Sequence, residues 1–181
     1  MLFFAHSEYR SCEDAQARGN TKDGHYVMRL NDRCSDPIRI YCFAMDTDKP
    51  YAFITLESGP ENNFAIIYDK RLRDRFQCNG PVMPQIYQES GSTSFSKVRI
   101  DLTTLRIIDD DFQFAQSSGN KRIPYGTAGD CYSMNQGNCR KGQFKIDLTG
   151  TLLSVRSDVT WQPQGLPKGI RIQVTHQVLR V

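Results

Sequence analysis

The chain has 181 residues with 39% hydrophobic residues, 24% charged residues and a formal net charge of +3. Its longest unbroken apolar run is only residues 40–45, whereas a membrane-spanning helix needs about 20 apolar residues. Aromatic residues make up 10% of the chain, which is enough to build a core and argues against a disordered protein. The small positive charge does not indicate nucleic acid. We therefore expect a folded protein with no membrane insertion and no nucleic-acid partner.

Hydrophobic patterning predicts a short helix followed by many strands. Ser11 is a suitable N-cap for a helix over residues 13–18, which Gly19 ends. Alternating apolar residues then predict strands at residues 25–30, 38–45, 51–57, 63–68, 95–108 continuing through 112–114, 143–148, 155–161 and 170–181. A second helix is predicted either after Asn62 or over residues 68–75, and residues 80–94 are predicted to be the longest loop. The fold class expected is mainly β: antiparallel sheets of eight to ten strands with one or two short helices, in a single compact disulfide-bonded domain over residues 1–181.

The cysteines favour disulfide bonds and an extracellular location. There are six of them: Cys12, Cys34, Cys42, Cys78, Cys131 and Cys139. An even number in a loop-rich chain predicts three disulfides. A zinc site is the alternative, but there is no C-x2-C pair and the three histidines are scattered; free thiols are a third possibility. A Cys131–Cys139 loop is compatible with the spacing, as is a Cys12–Cys42 bond that leaves Cys34 to pair with Cys78. Since disulfides persist in oxidising compartments, we expect a secreted protein.

Catalytic signatures are missing from the sequence. It contains no H-E-x-x-H, no G-x-S-x-G and no phosphate-binding G-x-x-x-x-G-K-[ST]. A Ser-His-Asp triad stays open, because its members are neighbours only in space. We therefore assign no catalytic residue and expect no cofactor.

The densest basic run contains Lys70, Arg71, Arg73 and Arg75. On a helix, Arg71 and Arg75 would share one face, which could bind sulfated glycosaminoglycan by charge-assisted contacts. The alternative is a solvated surface whose long side chains cover apolar neighbours.

An acidic run, Asp109, Asp110 and Asp111, follows a predicted strand. Its carboxylates are suitable ligands for Ca²⁺. The run lacks the D-x-D-x-D-G spacing of calcium loops, and a solvated strand end is the alternative. Calcium is the one metal that the sequence suggests.

Several segments occur in an order that resembles a known family. They include SC at residues 11–12, DGHY at 23–26, IYCFAM at 40–45, TSFSKVRIDL at 93–102, PYGTAGDCYS at 124–133 and LTGT at 148–151. Together, over residues 11–165, they resemble the GON domain, the C-terminal module of GON-type ADAMTS secreted metalloproteases. The resemblance implies a non-catalytic extracellular module and places five cysteines at family positions, with Cys34 additional. The opening segments also resemble fibrinogen-type domains, which implies that Cys12 pairs with Cys42.

Three functions are expected on these grounds. The first is a secreted binding module that contacts extracellular matrix, cell-surface protein or sulfated glycosaminoglycan. The second is a free-standing secreted protein that uses an apolar cavity to bind a small molecule or to act as a cofactor-independent enzyme. The third is a matrix or biomineral component that binds calcium through residues 109–111.

Overall fold

One helix and sixteen short strands make up the secondary structure of the described residues. The structure is a computed structural model, and it describes residues 8–30, 36–68, 70–73, 80–86, 88–130, 141–159, 162–164, 171–173 and 179–180. The elements are α1 (Cys12–Ala17), β1 (Gly24–Met28), β2 (Ile38–Phe43), β3 (Tyr51–Thr55), β4 (Phe64–Tyr68), β5 (Lys70–Leu72), β6 (Val82–Ile86), β7 (Gly91–Phe95), β8 (Lys97–Asp101), β9 (Arg106–Ile108), β10 (Ala115–Gly119), β11 (Ala128–Asp130), β12 (Gln143–Lys145), β13 (Ser154–Val155), β14 (Gln162–Gln164), β15 (Arg171–Gln173) and β16 (Leu179–Arg180).

Helix α1 begins and ends where its capping residues predict. The Ser11 hydroxyl accepts a hydrogen bond from the Asp14 N–H at 3.2 Å, which satisfies one of the free donors of the first turn. After the helix, Gly19 adopts φ +90°, a left-handed conformation that glycine tolerates best. The helix buries Cys12 and Ala15 against the core. The predicted first helix is therefore confirmed.

The first sheet has the strand order β1-β2-β3-β8-β9 and is antiparallel throughout. In β2, Ile38, Ile40 and Cys42 are buried, while Arg39 is exposed and Tyr41 is half-buried. This is the alternation expected of a strand with one face on the core. The sheet therefore has an inner apolar face and an outer face that carries polar and aromatic side chains.

The second sheet has the order β10-β7-β4-β11-β15-β14, and β12 also pairs with β4. All of its pairings are antiparallel except that between β4 and β11. Gly142, the residue directly before β12, packs closely against Gly129 of β11. A Cβ on Gly142 would lie 2.0 Å from the Gly129 carbonyl oxygen. Only glycine fits there. Two further two-stranded sheets, β5-β6 and β13-β16, complete the pairing.

A single hydrophobic cluster joins α1 and the two main sheets. Ile40 and Ile54 come from the first sheet, and Ala65, Ile67 and Phe95 come from the second. Each of these five side chains is no more than 4% exposed. The described part of the chain therefore shares one core, as a mainly β domain requires.

A buried amide, Asn63, fixes the loop that leads into β4. Its side-chain oxygen accepts hydrogen bonds from the Tyr125 hydroxyl at 2.7 Å and the Asp147 N–H at 2.9 Å. Its side-chain nitrogen donates to the Ser58 hydroxyl at 2.9 Å and to the Asp147 carbonyl oxygen at 3.1 Å. Burial, and then the charge of Asp147, raises the pKa of Tyr125, so this hydroxyl remains a donor. The network joins three separate stretches of chain.

Several expectations about secondary structure are wrong, beginning with the count of eight to ten strands and the strand at 155–161, of which only Val155 lies in β13 among the described residues. The second helix does not form either after Asn62 or over residues 68–75, because β4 and β5 occupy that region within the described residues. The loop predicted at 80–94 contains β6 and β7. The run at 95–108 is a hairpin of β8 and β9, in which the Asp101 carboxylate accepts hydrogen bonds from the Thr103 and Thr104 N–H groups. The segment at 112–114, predicted to extend this run, is not in a strand.

No helix among the described residues is long and apolar enough to span a bilayer. The helix α1 has six residues.

A disulfide joins α1 to β2. Cys12 and Cys42 are bonded and lie 30 residues apart in the sequence, and both are almost completely buried. This is the pair implied by the resemblance to fibrinogen-type domains. The bond ties the helix to the inner face of the first sheet.

We expect Cys12→Ala, Cys42→Ala and the double variant to lose a similar amount of stability. Closing a loop of this length restricts the unfolded chain, and the free energy of unfolding should fall by about 3–4 kcal/mol. Urea denaturation measures it. Because each substitution breaks the same bond, losses that add in the double variant would contradict the prediction.

We expect Asn63→Ala to lower the free energy of unfolding by about 2–4 kcal/mol, since it removes the buried amide oxygen that accepts from the Tyr125 hydroxyl and the Asp147 N–H. Tyr125→Phe is the matched variant. It removes one hydrogen bond but leaves the Asn63 oxygen bonded to Asp147, so about 1 kcal/mol is expected. Chemical denaturation of both variants checks this order, and equal losses would show that the amide does not organise the network.

Candidate functional site

Aromatic rings cover the centre of the outer face of the first sheet. Tyr41 and Phe43 come from β2, Phe53 comes from β3, and Phe114 comes from the segment before β10. The Phe114 ring centroid lies 5.5 Å from that of Tyr41, 5.4 Å from Phe43 and 4.8 Å from Phe53, in edge-to-face geometry. Such contacts stabilise ring pairs beyond their buried area. Phe53 is only 1% exposed, so these rings form a firm platform.

Two basic side chains, Arg39 and Lys97, lie on the same face of the sheet as these rings. The Lys97 ammonium lies 4.8 Å from the Tyr41 ring centroid and 5.0 Å from that of Phe114. Arg39 is exposed on β2, the strand that also carries Tyr41. Among the described residues, no carboxylate forms an ion pair with Arg39 or Lys97. Within the part of the chain that the structure describes, both positive charges can therefore pair with an anionic ligand.

His25 lies beside these two cations. It is exposed on β1, directly across from Tyr41, and its ring centroid lies 5.2 Å from that of Tyr41. Partial burial, followed by the charges of Arg39 and Lys97, lowers the pKa of His25, and Glu57 opposes this shift. Burial contributes most to this lower pKa, and the two cations add to it. We call His25, Arg39, Tyr41, Lys97 and Phe114 the basic aromatic face.

The acidic run borders this face. The Asp111 carboxylate pairs with the Arg99 guanidinium at 3.2 Å, and it also accepts a hydrogen bond from the Gln113 N–H. Arg99 in turn lies 4.0 Å from the Tyr51 ring centroid. No group of three His, Cys, Asp or Glu side chains close enough to hold a metal occurs in the described ranges. A calcium site at Asp109, Asp110 and Asp111 stays a prediction.

The basic run at 70–75 has a different backbone from that expected. Lys70 and Arg71 belong to β5, and the Arg73 N–H donates to the Pro81 carbonyl oxygen. Arg75 is outside the described residues. The helical face predicted to join Arg71 and Arg75 is therefore wrong, while glycosaminoglycan binding by this run stays a prediction.

Four of the cysteines are outside the described residues: Cys34, Cys78, Cys131 and Cys139. Their pairing stays a prediction.

An open groove lies on the second sheet. Phe64 and Ile66 of β4 form its apolar part, with Ser92 and Ser94 of β7 and Gln116 of β10 alongside. Its volume is about 500 Å³. The lining combines hydroxyl, amide and apolar groups, so it differs from the apolar cavity expected for the second function.

The residues of the basic aromatic face were not predicted as a site. Alternation already placed Arg39 and Tyr41 on the opposite side of β2 from Ile38 and Ile40. What assembles the face is the register, which pairs Tyr41 with Phe53 and places Lys97 on the strand next to β3. That register was not visible in the sequence.

Comparison with known proteins identifies the family. The model of the GON domain matches residues 9–181. The chain belongs to the GON domain family. It is 36% identical over 163 residues to mouse "A disintegrin and metalloproteinase with thrombospondin motifs 20", which covers 86% of this chain and 8% of the relative.

Two further relatives give the same assignment to the GON family. The human protein of the same name is 35% identical over 91% of this chain and 9% of its own length. "A disintegrin and metalloproteinase with thrombospondin motifs gon-1" of Caenorhabditis elegans is 34% identical over 90% of this chain and 8% of its own length. The chain thus spans less than a tenth of each relative. No solved structure matches it.

Proposed function

We propose that this GON domain is a secreted, non-catalytic binding module that binds sulfated glycosaminoglycan through its basic aromatic face. The observation that carries the proposal is a pair of cations around His25, Arg39 and Lys97, neither of which has a carboxylate partner among the described residues. The family assignment supports a binding role, since the GON domain is a non-catalytic module of ADAMTS-type proteins.

The chemistry of the face suits a sulfated sugar chain. Guanidinium and ammonium groups form charge-assisted hydrogen bonds with anionic oxygens. Tyr41 and Phe114 offer ring surface against which the apolar side of a sugar packs. The Tyr41 and Phe114 rings also hold the Lys97 ammonium in place, which reduces the entropy lost on binding.

An extracellular setting is supported by two observations. The Cys12–Cys42 disulfide favours an oxidising compartment. The relatives are named as metalloproteinases with thrombospondin motifs, and we infer the same extracellular environment for this chain. An acidic protein of the matrix or cell surface is the other partner that this charge pattern would accept. A small-molecule ligand, the alternative function expected from the sequence, would be sought in the groove beside Phe64.

We expect Arg39→Ala/Lys97→Ala to weaken binding of a heparin-derived hexasaccharide about tenfold, because two exposed ion pairs of up to about 1 kcal/mol each are lost. Calorimetric titration measures the dissociation constant, and circular dichroism checks that the fold is retained. Lys70→Ala/Arg73→Ala is the matched control, because it removes the same charges from the exposed side chains beside β5. Equal losses in both double variants would indicate non-specific charge attraction. A loss confined to the control would move the site to residues 70–75.

We expect Asp111→Asn to strengthen binding of the same hexasaccharide about two- to threefold, since it releases the Arg99 guanidinium from its ion pair. Asparagine keeps an oxygen that accepts the hydrogen bond from the Gln113 N–H. Glu89→Gln is the matched control, because it removes one negative charge beside the second sheet. The salt concentration needed to elute each variant from heparin resin checks the order. An equal gain in both variants would contradict a local effect of Arg99.

A further inference from the structure

His25 is exposed on the outer face of the first sheet and has a defined set of neighbouring groups there. From β2 it is faced by Arg39 and Tyr41, from β3 by the Thr55 hydroxyl, from the segment after β3 by Glu57, and from β8 by Lys97. Two of these groups are permanent cations at neutral pH and one is a carboxylate.

We infer that His25 is a third, pH-controlled cation of this binding face, so that the domain holds sulfated glycosaminoglycan more tightly as the pH falls. This inference rests on the proposed function, since it concerns the same ligand and the same face. Histidine is suited to the role because its ordinary titration lies close to physiological pH.

The hydrogen bonds of His25 allow it to gain a proton without losing a partner. Its Nε2 lies 2.9 Å from the Thr55 hydroxyl oxygen. A hydroxyl donates to the neutral ring nitrogen and accepts from the protonated one, so this bond persists in both states. Among the described residues, Nδ1 has no hydrogen-bond partner. In the imidazolium form this nitrogen is therefore free to donate to a sulfate oxygen.

The direction of the effect follows from the neighbouring charges. Without ligand, partial burial, followed by the charges of Arg39 and Lys97, opposes protonation and holds the pKa of His25 below its ordinary value of 6.5. A bound sulfate ester stays anionic and offsets the two cationic charges, so the pKa of His25 rises in the complex. By linkage, protonation must strengthen binding by the same factor. The increase in affinity is absent at pH values above the pKa that His25 has in the complex. It is complete at pH values below the pKa that His25 has in the free protein.

Calorimetric titration of the full chain with a heparin-derived hexasaccharide tests the inference at about pH 7.5 and about pH 5.5. We expect the affinity of the unsubstituted protein to be about two- to fivefold higher at the lower pH, the size of one exposed ion pair. His25→Gln should abolish most of this ratio. In parallel, NMR titration of the His25 ring should show a higher pKa with the hexasaccharide than without it.

The outcomes separate this inference from the proposed function. Equal affinity at both pH values, or a ratio retained in His25→Gln, overturns the role of His25 and leaves glycosaminoglycan binding intact. An unchanged pKa of the His25 ring in the complex overturns it in the same way. No binding at either pH overturns both proposals.

Discussion

The alternation of side chains along β2 is the constraint on which the interior and the proposed binding face both depend. Burying Ile38, Ile40 and Cys42 on one side of a strand places Arg39 and Tyr41 on the other. A shift of one residue would bury a guanidinium and expose three apolar side chains. Full burial of an isoleucine is worth about 1.5–3 kcal/mol, so the core strongly favours this arrangement. The disulfide at Cys42 holds the same strand to α1.

Much of the secondary structure could be predicted where hydrophobic alternation is strong. The helix after Ser11 and the strands β2, β3 and β4 fall within or close to their predicted limits. β7 was missed because Gly91–Phe95 is rich in glycine, serine and threonine and shows little alternation of hydrophobicity. Its position is fixed instead by pairing with β4 on one side and β10 on the other. Such pairing is a property of the assembled sheet and leaves little trace in a five-residue segment.

The basic aromatic face could be predicted only in part, for a related reason. The alternation in Lys97-Val98-Arg99 already indicates that Lys97 and Arg99 share the face opposite the buried Val98. It does not indicate that Tyr41 lies beneath the Lys97 ammonium, because that contact depends on strand order and register. The contact with Phe114 depends on a segment between two strands of different sheets. The basic run at 70–75 was conspicuous because four basic residues lie within six positions of the sequence, whereas the charges of the face come from distant strands.

The position of the Lys97 ammonium over two rings bears on the choice between short and long ligands. When a lone anion draws this ammonium away from the rings, the protein loses cation–π contacts worth about 0.5–1 kcal/mol. It gains one exposed ion pair worth about 0.2–1 kcal/mol. The exchange is close to neutral, so free phosphate or chloride has little advantage at this position. A polymer that engages Arg39 in the same event gains avidity from the second contact. By this comparison, simple salts compete poorly for the Lys97 ammonium, whereas a repeating polyanion that also binds Arg39 competes well.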